Sequence, residues 1–247
     1  LCTVPGASAT YNGGVISYAN EVKQSVLGVE EELLAEQGSV DPLVAEQMAQ
    51  GAGFGKIFEI GDVFRADPSF TSRHATEFTS VDAEISWIDS YEDVAAMQEE
   101  LIATAFAAVK EKHGAEIEEL FGQTAEVPTL PFPRIPLAEA REIVKARGYE
   151  IPRTDGDLDP EGERQVSAHV KETYGSDFVF VTDYHPEIRP FYHMRNAETG
   201  LTASYDLLYR GTEITTGAQR EHRIDVLEAQ ALTTAKLGPR NPCRIEI

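Results

Sequence analysis

Cysteine is scarce in this sequence, and its two cysteines lie near opposite ends of the chain. Cys2 and Cys243 belong to no CxxC pattern and have no histidine at ligand spacing. This arrangement favours neither a disulfide framework nor a cysteine-ligated metal site. We therefore expect a protein of the reducing cytoplasm.

Long hydrophobic runs and positive charge are also in short supply. No apolar stretch approaches the roughly 18 residues that span a bilayer, so we expect no membrane role. The sequence has 21 Lys and Arg residues but 42 Asp and Glu residues, which gives a formal net charge of −21. This field repels phosphate, so any RNA partner must be held by local arginines. The remaining composition, 42% hydrophobic in 247 residues, is typical of a globular protein with a substantial core.

Several common catalytic motifs are missing as well. Residues 51–56 (GAGFGK) look like a phosphate-binding loop, but the spacing differs from GxxxxGK[ST] and Ile57 occupies the Ser/Thr position. No GxSxG nucleophile elbow occurs. Four histidines show no HExxH or other metal spacing, and we expect them to be structural or on the surface: His113, His169, His185 and His193.

Hydrophobic periodicity predicts a mixture of strands and helices. Alternation predicts two antiparallel strands at 56–65 and 77–88, joined by a loop at 66–76. Helical spacing is found at 91–112, where Gly114 would end the helix, and at 137–146, 163–174 and 224–231. Further strands are predicted at 178–182, 191–195 and 201–209. We predict an α+β domain in which helices flank a mainly antiparallel sheet.

The segment 205–216 predicts a hairpin that carries two carboxylates on one face. A two-residue turn at Gly211 and Thr212 would place Asp206, Arg210 and Glu213 together. A three-residue turn would separate the two carboxylates. Oxygen ligands of this kind suit Mg²⁺, which proteins often share with substrate phosphates. The alternative from spacing alone is a pair of solvated surface charges.

The predicted strands at 56–65 and 77–88 carry a second set of candidate site residues. Alternation places Arg65 and Asp67 on one face, while Arg73 and His74 lie in the connecting loop. A guanidinium, a cationic loop and an aromatic ring such as Phe78 can together hold a phosphate and stack on a purine. The alternative is that Phe78 is a core residue.

Three ordered segments resemble the class II aminoacyl-tRNA synthetases. Residues 64–84 (FRADPSFTSRHATEFTSVDAE) resemble their motif 2, and residues 205–227 (YDLLYRGTEITTGAQREHRIDVL) resemble the stretch before motif 3. Residues 178–194 (FVFVTDYHPEIRPFYHM) also resemble this family, and archaeal-type aspartyl-tRNA synthetases match best. The resemblance implies a class II synthetase-like catalytic domain at 48–232. It leaves residues 1–47 and 233–247 unassigned.

The resemblance implies roles for the residues of motif 2. Arg65 would bind the α-phosphate of ATP and the carboxylate of the amino acid, and Phe78 would stack on adenine. Arg73 and His74 would approach the outer phosphates. Asp67 replaces the glutamate usual at this position, which leaves its contact with nucleotide or tRNA open.

The resemblance also implies the reaction and its cofactors. Asp206 and Glu213 would carry Mg²⁺, and Arg220 would pair with the side-chain carboxylate of aspartate. Aspartate would attack the α-phosphorus of ATP to form aspartyl-adenylate, and tRNA(Asp) would then accept the aspartyl group. Charging of tRNA(Asn) is an open alternative.

Three other functions fit parts of the sequence. They are an asparaginyl-tRNA synthetase, a tRNA-independent asparagine synthetase and a non-catalytic paralogue. Glu221, His222 and the sequence TTGAQ favour the aspartyl enzyme. Residues 1–47 resemble neither an anticodon domain nor motif 1 with its dimer-forming proline, and no GxGxxR of motif 3 occurs. We therefore expect impaired activity, and the family's homodimer cannot be predicted from this sequence.

Overall fold

The computed structural model describes residues 23–25, 29, 31, 55–64, 75–152 and 156–235. The chain divides into two compact units, Leu1–Trp87 and Ile88–Ile247, which we describe separately. The strands are β1 (Lys56–Phe64), β2 (Glu77–Ile85), β3 (Arg134–Pro136), β4 (Phe178–Thr182), β5 (Ser204–Tyr209) and β6 (Thr212–Ala218). The helices are α1 (Tyr91–Phe121), α2 (Leu137–Ala146), α3 (Pro160–Tyr174) and α4 (Ile224–Ala235), and a 3-10 turn spans Pro186–Ile188. Across the described residues, no helix is both long and apolar enough to cross a membrane.

The first unit contains an antiparallel pair of strands, β1 and β2. Their register runs from the Lys56–Ile85 pair to the Phe64–Glu77 pair, which confirms the strand pair predicted from alternation. Phe78 is opposite Val63 and is half-buried. The other face carries four exposed apolar side chains: Phe58, Ile60, Phe64 and Val81.

The second unit is built on a four-stranded sheet in the order β3-β4-β5-β6. Only the β3–β4 pair is parallel, so the predicted mainly antiparallel sheet is confirmed. All residues of β4 (FVFVT) are buried. A continuous apolar run of this kind is typical of a strand covered on both faces.

Alternation along β4 and β5 divides the core between the two faces of this sheet. One face meets α1 through a cluster formed by Ala95, Phe132, Phe178, Phe180, Tyr205 and Leu207. The opposite face packs on α2 and α3 through Val144, Val166, Val179, Val181 and Leu208, among others. Asp206 shares the face of Leu208, so its carboxylate lies at the border of this apolar cluster.

Helix ends explain two differences from the predicted elements. Helix α1 begins with a capping box between Ser90 and Asp93, and it ends at Gly122, whose φ is 61°. The predicted end at Gly114 is wrong, because that glycine lies inside the helix. Helix α3 starts at Pro160, earlier than predicted, because Asp159 caps it by accepting a hydrogen bond from the Gly162 N–H.

Candidate active site

The β5–β6 turn sets which residues of the hairpin share a face. Arg210 and Gly211 have φ angles of 49° and 81°, which is typical of a two-residue type I′ turn. The predicted turn at Gly211 and Thr212 is therefore wrong by one residue. Arg210 belongs to the turn itself, where its guanidinium pairs with Asp177 at 3.0 Å.

The structure still places Asp206 and Glu213 on one face. Glu213 is opposite Leu208, and alternation along β5 brings Asp206 to the same side. When the turn shifts by one residue, each residue of β5 is paired with a residue two positions away on β6. Side chains two positions apart lie on the same face, so Asp206 and Glu213 still share a face. The ladder then skips one residue, Ile214, because Leu207 is opposite Thr215.

Asp206 is a buried carboxylate with one oxygen already paired. Its residue is 7% exposed, and its Oδ2 accepts a short hydrogen bond from the Arg189 guanidinium. The Arg189 guanidinium also stacks on Tyr184, 3.6 Å from the ring centroid. Asp206 Oδ1 and Arg189 Nε are buried and make no hydrogen bond within the described part of the chain. Oδ1 can accept a hydrogen bond, and Nε can donate one.

Glu213 is close enough to Asp206 for their charges to interact. Partial burial, followed by the Asp206 carboxylate, raises the pKa of Glu213 to about 7, while Arg189 opposes this shift. Glu213 keeps access to solvent. Among the described residues, no group of three or more His, Cys, Asp or Glu side chains could hold a metal ion. Two carboxylates fit Mg²⁺, which usually keeps several waters and shares substrate phosphates.

A second part of the site brings Arg220 beside His193. The two residues form an isolated antiparallel bridge, and the Arg220 guanidinium lies 4.5 Å from the centroid of the Tyr192 ring. His193 is 8% exposed, so it is not a surface histidine. Burial, then the charges of Arg189 and Arg220, lower the pKa of His193 to about 4.

Sequence patterns missed Arg189 and His193 as site residues. Both follow β4 in a segment that pairs through isolated bridges rather than a regular strand, so the strand predicted at 191–195 is wrong. The signal was a run of charged and aromatic residues in 183–195, beside a buried strand. Such a run does not specify which distant residues it will meet.

Of the remaining predicted site residues, only Phe78 is among the residues that the structure describes. Arg65, Asp67, Arg73 and His74 lie outside the described residues. Phe78 lies on β2 in the first unit, and its residue is half-buried. The structure thus brings together Asp206 and Glu213, with Arg220 on the segment that follows β6.

Comparison with known proteins identifies the family. The model for class II tRNA synthetases (D, K and N) matches residues 42–238. The chain belongs to this family. A second model, for the CinA C-terminal domain, matches residues 1–55. The class II match contains every candidate site residue named above.

Curated relatives in the family are aspartate–tRNA ligases. The Aeropyrum pernix aspartate–tRNA(Asp/Asn) ligase is 45% identical over 186 residues, covering 74% of this chain and 41% of the relative. The Deinococcus radiodurans aspartate–tRNA(Asp/Asn) ligase is 40% identical over 208 residues, covering 81% and 46%. The chain thus spans less than half the length of these relatives.

Solved structures of the family share the fold. Aspartyl-tRNA synthetase from Entamoeba histolytica has a TM-score of 0.71 and 29% identity, over 87% of this chain and 48% of that chain. Asparaginyl-tRNA synthetase from Pyrococcus horikoshii, solved with asparaginyl-adenylate, has a TM-score of 0.66 and 29% identity over 76% and 43%. These neighbours confirm the predicted α+β class II synthetase architecture.

Proposed function

We propose that this chain carries the amino-acid-activating site of an aspartate–tRNA ligase. The observation that carries the proposal is a pair of carboxylates, Asp206 and Glu213, beside the buried guanidinium of Arg189. The two carboxylates can bind a metal ion, and the guanidinium can bind a phosphate or a carboxylate. The names of the Aeropyrum and Deinococcus relatives support aspartate as the amino acid.

ATP and Mg²⁺ are the proposed cofactors. Asp206 and Glu213 would hold the cation, which neutralises phosphate charge when it is bound. Arg65 would bind the α-phosphate and the carboxylate of the amino acid, Arg73 and His74 would approach the outer phosphates, and Phe78 would stack on adenine. The roles of these four residues, and a contact of Asp67 with nucleotide or tRNA, rest on the motif 2 resemblance. Catalysis would come from positioning and charge neutralisation, without a covalent enzyme intermediate.

Arg220 is the proposed contact for the side-chain carboxylate of aspartate. A guanidinium can donate two parallel hydrogen bonds to a carboxylate. Asparagine would turn amide donors toward the same guanidinium, so it should be disfavoured strongly. Arg189, with a buried Nε that has no partner in the described residues, is a second guanidinium able to meet a carboxylate.

The proposed partners are those of aspartyl-tRNA formation in the cytoplasm. They are tRNA(Asp) and, as both relatives' names allow, tRNA(Asn). The chain's charge of −21 means that tRNA must be guided by local arginines. The family's homodimer is a further proposal, which sedimentation of the purified chain would test.

An asparaginyl-tRNA synthetase is the second candidate function, favoured by the fold shared with the Pyrococcus horikoshii enzyme. The two candidates are separated by ATP–pyrophosphate exchange with aspartate or asparagine. The assay should use the 247-residue chain and a chimera in which residues 48–232 replace the matching part of the Aeropyrum relative. The chimera restores the length of a complete relative around this chain's own site residues.

We expect the chimera to exchange with aspartate and to discriminate against asparagine. Asp206→Asn, Glu213→Gln and Arg220→Leu should each lower exchange on the order of a hundredfold, since each removes a charged contact worth about 3 kcal/mol. Arg210→Leu, at the surface pair with Asp177, is the matched control and should stay within twofold. Exchange with asparagine alone would replace aspartate by asparagine as the substrate. Asparagine made from ammonia would identify an asparagine synthetase.

A further inference from the structure

His193 is a buried imidazole beside the candidate site for which the proposed function has no role. The residue is 8% exposed, and its Nδ1 is buried without a hydrogen-bond partner in the described residues. An unpaired buried polar group destabilises the folded state, so folded proteins seldom leave one unsatisfied. A bound ligand would supply the missing partner.

The backbone around His193 is fixed to the segment that carries Arg220. His193 forms its bridge with Arg220, and the next residue, Met194, donates its N–H to the Gln219 carbonyl at 2.9 Å. On the other side, the Glu221 N–H donates to the Tyr192 carbonyl at 2.9 Å. The His193 backbone therefore has a defined position relative to the backbone of Arg220.

Two positive charges act on this imidazole from different segments. Arg220 lies across the bridge, and Arg189 precedes His193 in the chain and is held by Asp206 and Tyr184. Both guanidiniums, after burial, lower the pKa of His193, so the imidazole is neutral at neutral pH. A neutral imidazole offers a hydrogen bond without adding a third positive charge. A ligand with two carboxylates matches this combination.

We propose that His193 is a further amino-acid-binding residue, whose neutral imidazole hydrogen-bonds through Nδ1 to the dicarboxylate held by Arg189 and Arg220. This inference rests on the proposed function, because it takes aspartate as that dicarboxylate. It adds to the site a neutral group that fixes the orientation of the amino acid between two cationic ones. The cationic residues supply attraction, and His193 supplies a directional contact.

The two ring nitrogens of His193 can be separated by substitution. In His193→Asn the amide occupies the place of Nδ1, whereas in His193→Gln it reaches the place of Nε2. We expect His193→Asn to bind L-aspartate within threefold of the wild-type chain, and His193→Gln to bind at least tenfold more weakly. Titration calorimetry on the 247-residue chain measures both. His185→Asn, which changes an exposed histidine close in sequence, should bind as wild type.

Nitrogen NMR of the ¹⁵N-histidine-labelled chain gives a readout that stability alone would not change. The imidazole signals lost in His193→Asn belong to His193, and the Nδ1 signal should move on addition of L-aspartate but not of L-leucine. If all variants bind aspartate equally and the Nδ1 signal stays in place, the inference is wrong while the proposed function stands. A folded wild-type chain that binds no aspartate would overturn both, and the titration of the wild type alone identifies that case.

Discussion

Asp206 forms an ion pair with Arg189 in the structure, and in the proposed function the same carboxylate also binds a cation. Arg189 is 14% exposed at its side chain, so this is a largely buried ion pair. Removal of one partner of such a pair leaves an uncompensated charge and typically costs about 3–5 kcal/mol. Arg189 and a metal ion should therefore compete for Asp206.

Arg189→Met should strengthen binding of a divalent cation while weakening the fold. We expect the free energy of unfolding to fall by about 3 kcal/mol, and Mn²⁺ to restore part of it by binding the native state. The Kd of Mn²⁺, measured by electron paramagnetic resonance, should decrease about tenfold, which corresponds to about 1.4 kcal/mol. Arg210→Met, at the more exposed pair with Asp177, is the control. An unchanged Kd in Arg189→Met would show that Asp206 is not a cation ligand.

The buried His193 should make stability depend on pH. Its pKa is about 4 in the folded protein and about 6.5 when exposed, so the folded state favours the neutral form. The contribution of the neutral His193 to the free energy of unfolding is fully present above about pH 6.5. It is lost as the pH falls from 6.5 toward 4, because the unfolded chain then binds a proton that the folded chain does not. Arg189 and Arg220 oppose protonation, and Asp206 favours it.

Between pH 7.5 and 5.0 the wild type should lose about 2 kcal/mol through His193. His193→Asn lacks this group, so its urea-unfolding free energy should fall by about 2 kcal/mol less over the same interval. His185→Asn should follow the wild type, because that imidazole is exposed. Equal losses in wild type and His193→Asn would contradict a buried neutral imidazole.

Single residues show why the site was only partly predictable from sequence. Asp206 and Glu213 lie in a regular hairpin, where alternation assigns faces even when the turn is misplaced by one residue. Arg189 and His193 lie in an irregular segment, and their partners are 17 and 27 positions away. No local period encodes contacts of that range, so only the family resemblance pointed to the segment.

Elements were predicted best where a pattern and a stop signal agree. Strand β4 is a continuous apolar run, and it was found with its observed ends. Helix α1 was predicted too short because Gly114 looks like a terminus. A glycine inside a helix costs only about 1 kcal/mol relative to alanine, and the helix continues to Gly122, where the backbone turns left-handed.

The β5–β6 turn is packed against α3, and this contact can be tested with a pair of glycines. A Cβ added at Gly211 would lie 2.9 Å from the Arg164 Cα, whereas one at Gly200 meets nothing within 4 Å. Both glycines have positive φ, 81° and 73°, so alanine strains both backbones alike. Only Gly211 adds a steric conflict with a helix.

Gly211→Ala should therefore cost about 1–3 kcal/mol more than Gly200→Ala. Urea unfolding of both variants measures the difference, and the shared strain of the left-handed backbone cancels. Equal losses would mean that α3 moves away from the turn without cost. In that case the turn would not depend on α3 for the position of Glu213.

The whole molecule has two features that bear on how the chain behaves alone. It spans 41% to 46% of the two curated relatives, and the first unit carries an exposed apolar face. Phe58, Ile60, Phe64 and Val81 are between 54% and 69% exposed on that face. A contiguous apolar face of this kind marks an interaction surface or an association hazard. We expect the purified chain to self-associate more readily than a variant with charged residues there.

The 247-residue chain should show little aspartate-dependent ATP–pyrophosphate exchange by itself. No GxGxxR pattern occurs in the sequence, so the arginine that motif 3 would place on the γ-phosphate has no counterpart here. Loss of one oriented charge at a reacting phosphate costs on the order of 3 kcal/mol, or about a hundredfold in rate. The same assay on the chimera, which restores the length of the Aeropyrum relative, should recover exchange by at least that factor. Robust exchange by the 247-residue chain would make it a minimal synthetase, and the residues described here would then suffice to position ATP.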